Sequence, residues 1–217
     1  MQVIKYPPKE TWNDIIQRPT QSLEDIEQKV IPILEDVKLR GDEALKFYAQ
    51  KFEGVELNNI LVSTAEVEEA LTQISEELKQ AIDTAYFNIF KFHQHQQTAI
   101  EIIETTEGVQ CWRKSVAIEK VGLYIPGGTA PLFSTVLMLV IPAIIADCKE
   151  IILCTPPNKE GKIHPAILYV ANLCGLHKIY KVGGAQAIAA MAYGTQTIPQ
   201  VYKIFGPGNQ FVTVAKQ

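Results

Sequence analysis

Residues 119–157 read EKVGLYIPGGTAPLFSTVLMLVIPAIIADCKEIILCTPP. A short apolar run meets a Pro-Gly-Gly turn, then a longer apolar segment leads to a second short run closed by two prolines. Runs such as KVGLYI and EIILCT, apolar nearly throughout, predict strands covered on both faces. Between them, PLFSTVLMLVIPAIIADC falls short of the roughly 20 apolar residues that span a bilayer. It also contains Pro142 and closes at Asp147, so it reads as a buried helix. Downstream, HKIYKV and VYKIF repeat the strand pattern, with helical segments in between. This β-α-β-α alternation predicts an α/β fold with a parallel sheet and right-handed crossovers.

Upstream the pattern changes. SLEDIEQKVIPILEDVKLRG has helical spacing, with Ser22 and Asp25 as an approximate capping box, Gly41 as the stop, and Pro32 expected to kink or divide it. A short helix over DEALKFYAQKF and an extended VELNNILVS follow. TAEVEEALTQISEELKQAIDTAYFNIFKFHQHQ then reads as helix over many turns. The acidic residues between positions 22 and 84 follow helix-surface periodicity and are expected on solvated faces. VQCWRKSVAIEKVGLYI has the β-branched and aromatic alternation of strands. The boundary falls near residues 113–119. It separates a mainly helical region with some strand, 1–118, from an α/β domain, 119–217.

Ligands of open α/β sheets sit outside the carboxyl ends of the strands. Three glycine-bearing turns are expected there: YIPGGTAP, VGGAQA and FGPGNQ. Two run straight into helices, whose free N–H groups favour an anion such as pyrophosphate. Each turn carries a polar or aromatic group at its mouth: Tyr124, Gln186 and Asn209. None is the dinucleotide fingerprint G-x-G-x-x-G, because Phe211 takes the place of its third glycine. A single such turn is commonly structural, but three at one edge favour a ligand cleft. The residues alone therefore give an α/β domain with a nucleotide or phosphate site and leave the ligand open.

Other features exclude more than they assign. Twenty basic against twenty-four acidic residues, with a net charge of −4, argue against nucleic acid as a partner. No apolar stretch predicts a membrane span or signal peptide. Cys111, Cys148, Cys154 and Cys174 show no C-x-x-C spacing and suit a reducing compartment. His93 and His95, two apart on a predicted helix, point to different faces and make a poor metal pair. His164 before Pro165 and His177 at a strand start read as structural. No nucleophile elbow, Walker loop or Glu beside a His occurs.

Read as longer strings, the same turns resemble histidinol dehydrogenase. VGLYIPGGTAPLFSTVLMLVIPA, ILCTPP and VGGAQAIAAMAYGTQTIPQVYKIFGPGNQFVTVAK carry the resemblance over residues 119–217, and RGDEAL extends it more loosely upstream. It implies a cytoplasmic, NAD-dependent, zinc-containing oxidoreductase. Such an enzyme oxidises L-histidinol to L-histidine through the aldehyde with two NAD, the last step of histidine biosynthesis, and works as a homodimer. The implied fold is a helical N-terminal region followed by a Rossmann-like parallel-sheet domain, incomplete relative to the family's two such domains. By motif position, Tyr124, Gln186 and Asn209 become the expected NAD contacts, together with Gly127, Gly128, Gly206 and Gly208 of the same turns. The family's zinc ligands and Glu-His acid–base pair lie downstream of the GPGN helix, at positions beyond Gln217. No catalytic or metal residue is therefore expected within these 217 residues. The resemblance thus implies the N-terminal half of the enzyme, inactive by itself, marginally stable or self-associating. The competing expectations are a stand-alone, non-catalytic nucleotide-binding module and an interaction protein that kept the fold without the ligand.

Overall fold

The computed structural model describes residues 3–16, 23–128 and 130–217; Ser22, the expected cap, lies outside them. After a short α1 (Trp12–Ile16), α2 runs from Leu23 to Arg40 as one helix. Pro32 removes one backbone donor but does not divide it. Gly41, at φ 58°, stops α2 and leads into α3 (Asp42–Tyr48), whose last turn widens into a π turn over Ala49–Glu53. The long helical pattern that follows is two helices, α4 (Thr64–Thr72) and α5 (Glu76–Gln94). The break has a local cause, since Ser75 accepts from the Leu78 N–H at 3.3 Å and starts a new helix. Ser63 and Glu66 form a full capping box on α4.

An antiparallel hairpin of β1 (Ile102–Thr106) and β2 (Val109–Trp112) comes next, with every residue of both strands exposed. The chain then forms β3 (Lys120–Tyr124), α6 (Phe133–Ile145), β4 (Glu150–Thr155), α7 (Pro165–Leu173), β5 (Ile179–Lys181), α8 (Gly184–Tyr193), β6 (Lys203–Phe205) and α9 (Gln210–Ala215). His177 thus precedes its strand rather than beginning it. The four strands from β3 onward form a parallel sheet in the order β5-β4-β3-β6.

Strand alternation sends neighbouring side chains to opposite faces, and each face has its own core. Leu123, Ile125, Leu153 and Ile179 pack with α6 and α7 and with Ala70 and Ile82 of α4 and α5. Tyr124, Ile152, Cys154 and Tyr180 pack with α8 and with Val37, Ala44 and Leu45 of α2 and α3. Both cores therefore draw on residues from either side of position 118. The helices of the first half lie as an outer layer on the crossovers: α5 on α6, α4 on α7, and α2 on α8 and α9.

The extended stretch 55–63 covers one sheet edge. The Lys181 N–H donates to the Ile60 carbonyl at 2.8 Å, and the Val62 N–H donates to the Ile179 carbonyl at 2.9 Å. This antiparallel pairing gives partners to β5 groups that would otherwise form an open edge. Lys181, buried, then reaches Glu66 at 3.0 Å and ties the edge to the start of α4.

Candidate functional site

The chain steps outward from β3 to β4 to β5, then returns so that β6 pairs with the far side of β3. The crevice between the carboxyl ends of β3 and β6 is therefore the topological switch point, where ligands of such sheets sit. Two of the glycine turns meet there closely. Gly206 has φ 137°, and a Cβ on it would stand 2.0 Å from the Tyr124 carbonyl oxygen, so only glycine lets the β6 turn cross β3. The Lys216 ammonium folds back from the end of α9 onto the Gly206 carbonyl at 2.6 Å and holds the turn in place. Gln217 beside it is exposed, and its N–H donates to the Val214 carbonyl at 3.1 Å, so it finishes the last turn of α9. It is not among the residues lining the cleft.

Tyr124 is the last residue of β3 and is buried. Its hydroxyl accepts from the Gly184 N–H at 3.0 Å, which fastens the start of α8 to the end of β3. Burial pushes the phenol up, against the pull of that bond. Gln186, only 2% exposed, follows in the first turn of α8. Asn209 caps α9, its Oδ1 accepting from the Val212 N–H at 3.1 Å. Gln186 and Asn209 line one cavity of about 610 Å³, closed by Ile33 of α2 and by Tyr48, Phe52 and Glu53 at the π turn. Gly127 and Gly128 lie in the turn after β3, and Gly208 sits tight against Val212. Gly127, Gly128, Gly206 and Gly208 are not among the residues lining that cavity; they shape its neighbourhood at the switch point.

The cavity has one member that sequence reasoning placed elsewhere. Glu53 belongs to the acidic residues expected on solvated faces, yet its Oε2 is buried without a hydrogen-bonding partner among the described residues. Burial pushes its carboxyl up to about 7, while a backbone hydrogen bond opposes the shift. The sequence signal for it is weak, because Glu53 follows a helical run and precedes a glycine like many solvent-facing glutamates. The π turn is what rotates it inward, and its neighbours Tyr48 and Phe52 stack with ring centroids 5.5 Å apart.

The raised value has a testable consequence. Below the ordinary glutamate value of 4.5, folded and unfolded chains are both protonated and Glu53 carries no penalty. As pH rises, the unfolded chain releases the proton first, so stability falls until the folded carboxyl also ionises near 7. Glu53→Gln should therefore raise the urea midpoint at pH 8 and leave it nearly unchanged at pH 4.5. An equal gain at both pH values would contradict this account.

The remaining sequence candidates stay apart from the cleft. His93 Nδ1 lies 2.8 Å from Gln96 Oε1, and His95 Nδ1 lies 2.8 Å from the Lys91 carbonyl. His164 caps α7, accepting from the Ala166 N–H. Among the described residues, no group of three or more His, Cys, Asp or Glu side chains gathers to hold a metal. A second cavity, of about 530 Å³, opens at the amino-terminal edge of the sheet, but Glu150 there is paired with Lys178 and Lys120. No helix among the described residues is long and apolar enough to cross a membrane.

A four-stranded parallel sheet clothed in helices on both faces, with a switch-point crevice edged by glycine turns, defines a Rossmann-like α/β protein. The histidinol dehydrogenase family model matches residues 16–217, and the chain belongs to that family. It is 58% identical over all 217 residues to histidinol dehydrogenase from Bacteroides fragilis, covering 51% of that protein. It is 49% identical to the histidine biosynthesis trifunctional protein of Saccharomyces cerevisiae, covering 27% of it. The crystal structure of histidinol dehydrogenase from Elizabethkingia anophelis superposes with a TM-score of 0.90 at 56% identity, over 97% of this chain and 48% of that one. The chain thus spans about half the length of the histidinol dehydrogenases it matches.

Proposed function

We propose that this chain forms the NAD-binding part of a histidinol dehydrogenase, which oxidises L-histidinol to L-histidine through the aldehyde with two NAD. The observation that carries the reading is the convergence of two separate motifs, with Gln186 and Asn209 lining one cavity and Tyr124 bonded to the helix start between them. The fit of a dinucleotide is supported by the cavity volume and by the N–H groups of Ala185 and Gln186 in the first turn of α8, which favour an anionic group. The ring of Phe52, stacked on Tyr48, carries the Lys51 ammonium 5.5 Å from its centroid, so this wall is cationic as well as aromatic.

NAD, when bound, accepts the hydride. Gln186 and Asn209 hold and orient it through their amides, and Tyr124 fixes α8 so that the amide of Gln186 stays at the cleft. In this reading the zinc and the proton-moving Glu-His pair of the family come from outside residues 1–217, and the assembled enzyme is a cytoplasmic homodimer. The exposed Ile102, Ile103, Val109 and Trp112 of the hairpin give a homo-oligomer apolar surface to cover.

Calorimetry and a histidinol oxidation assay test the proposal together. The 217-residue protein should bind NAD, and Gln186→Ala and Asn209→Ala should each weaken binding about tenfold, the loss of one buried hydrogen bond. No NADH should form from L-histidinol with added zinc. Absence of NAD binding would sink the cleft assignment, and zinc-dependent NADH formation would overturn the division of roles.

A further inference from the structure

We infer that Glu53 recognises the ribose of the bound dinucleotide, its carboxylate accepting from the 2′-hydroxyl and selecting NAD over the 2′-phosphorylated form. This rests on the dinucleotide reading of the cleft. An ionised carboxylate is an acceptor at both oxygens, and Glu53 Oε2 is buried with no donor to satisfy it among the described residues. A ribose diol supplies donors of the kind that oxygen lacks.

The location of the carboxyl points the same way. Glu53 Oε1 and Pro156 Cβ come within 3.0 Å and 2.5 Å of the point where a Cβ on Gly183 would stand. Pro156 directly follows β4, and Gly183 joins β5 to α8, so the carboxyl rests over the carboxyl ends of two adjacent strands. Its charge also acts on the phenol of Tyr124 at the end of β3. In doubly wound dinucleotide folds, the acid that binds the 2′-hydroxyl stands at the end of the second strand. Here the second strand of the sheet, β4, ends in Thr155-Pro156-Pro157 and offers no acid. The π turn delivers Glu53 to that strand end instead, in the same cavity as Gln186 and Asn209. A phosphate on the 2′ position would remove the hydroxyl donor and set an anion against this carboxylate, with Lys29 and Lys51 lining the same cavity as the opposing charges. The bare backbone of Gly183 makes the room, since any side chain there would displace either Pro156 or the carboxyl.

The test is the ratio of affinities for NAD and NADP, measured by calorimetry at pH 8 on the 217-residue protein, on Glu53→Gln and on Glu53→Ala. Comparing two ligands on one sample cancels any difference in folded fraction. The wild-type protein should bind NAD at least about tenfold more tightly than NADP, and both variants should lose about tenfold of that preference. If the protein binds NAD and the ratio is the same in all three, or if it binds NADP as tightly as NAD, the inference is wrong and the dinucleotide cleft stands. If it binds neither, the cleft reading falls as well.

Discussion

Gly206→Ala should destabilise the protein by about 3 kcal/mol or more, read as a shift of the urea midpoint at constant slope. Two effects add at this position. The backbone sits at φ 137°, a region open to glycine and strained for any L side chain. The new Cβ would also stand 2.0 Å from the Tyr124 carbonyl oxygen, a backbone atom that cannot swing aside. Relief would require β6 to part from β3, opening the crevice where the two strand ends meet. The matched control is Gly128→Ala in the neighbouring turn, where an added Cβ meets nothing within 4 Å among the described residues beyond its chain neighbours. That change should stay within about 1 kcal/mol. Comparable losses at the two glycines would show that turn flexibility, and not the crossing of β6 over β3, sets the cost.

Lys181→Met should cost about 3 kcal/mol at pH 7, because it leaves the carboxylate of Glu66 half-buried without its cation. Lys181 is 8% exposed at the side chain, so water cannot replace the lost pairing fully. Burial works against ionised Glu66, but the Ser63 N–H and the Lys181 ammonium outweigh it and hold the carboxyl below its ordinary value of 4.5. A depressed carboxyl stabilises the fold above the unfolded value and loses that contribution as pH falls through the folded one. The gap between wild type and Lys181→Met should therefore narrow below pH 4. A gap that stays constant from pH 7 to pH 3 would assign the loss to packing of the lysine stem.

The sheet was legible because its strands are short, apolar and punctuated by glycine or proline. KVGLYI and EIILCT can hardly be anything but covered strands, and the turns that follow them mark their carboxyl ends. Gln186 and Asn209 could be singled out for the same reason, as the polar residues at the mouths of those turns. What escaped reading depends on contacts between distant segments. The 55–63 stretch looks merely extended until β5 supplies its partners. One long helical pattern became two helices because Ser75 offered a cap, a choice that periodicity alone does not reveal. Strand β1 gives no sequence signal, because its residues IIETT face solvent on both sides and carry no burial pattern. Glu53 is the least legible, since its place in the cleft follows from a π turn that adds a residue to one turn of helix and has no composition of its own.

That turn makes the cleft sensitive to counting. In a regular helix each residue advances about 100°, so one residue fewer between Tyr48 and Gly54 would carry the wall of the cavity around the helix axis. Tyr48 is anchored in the core and Gly54 ends the turn at φ 72°, so the five residues Ala49–Glu53 form a spacer of fixed length between two fixed points. A substitution within the spacer changes one side chain, whereas a change in its length would reposition Phe52 and Glu53 together. For this segment the number of residues shapes the cleft as much as their identity does.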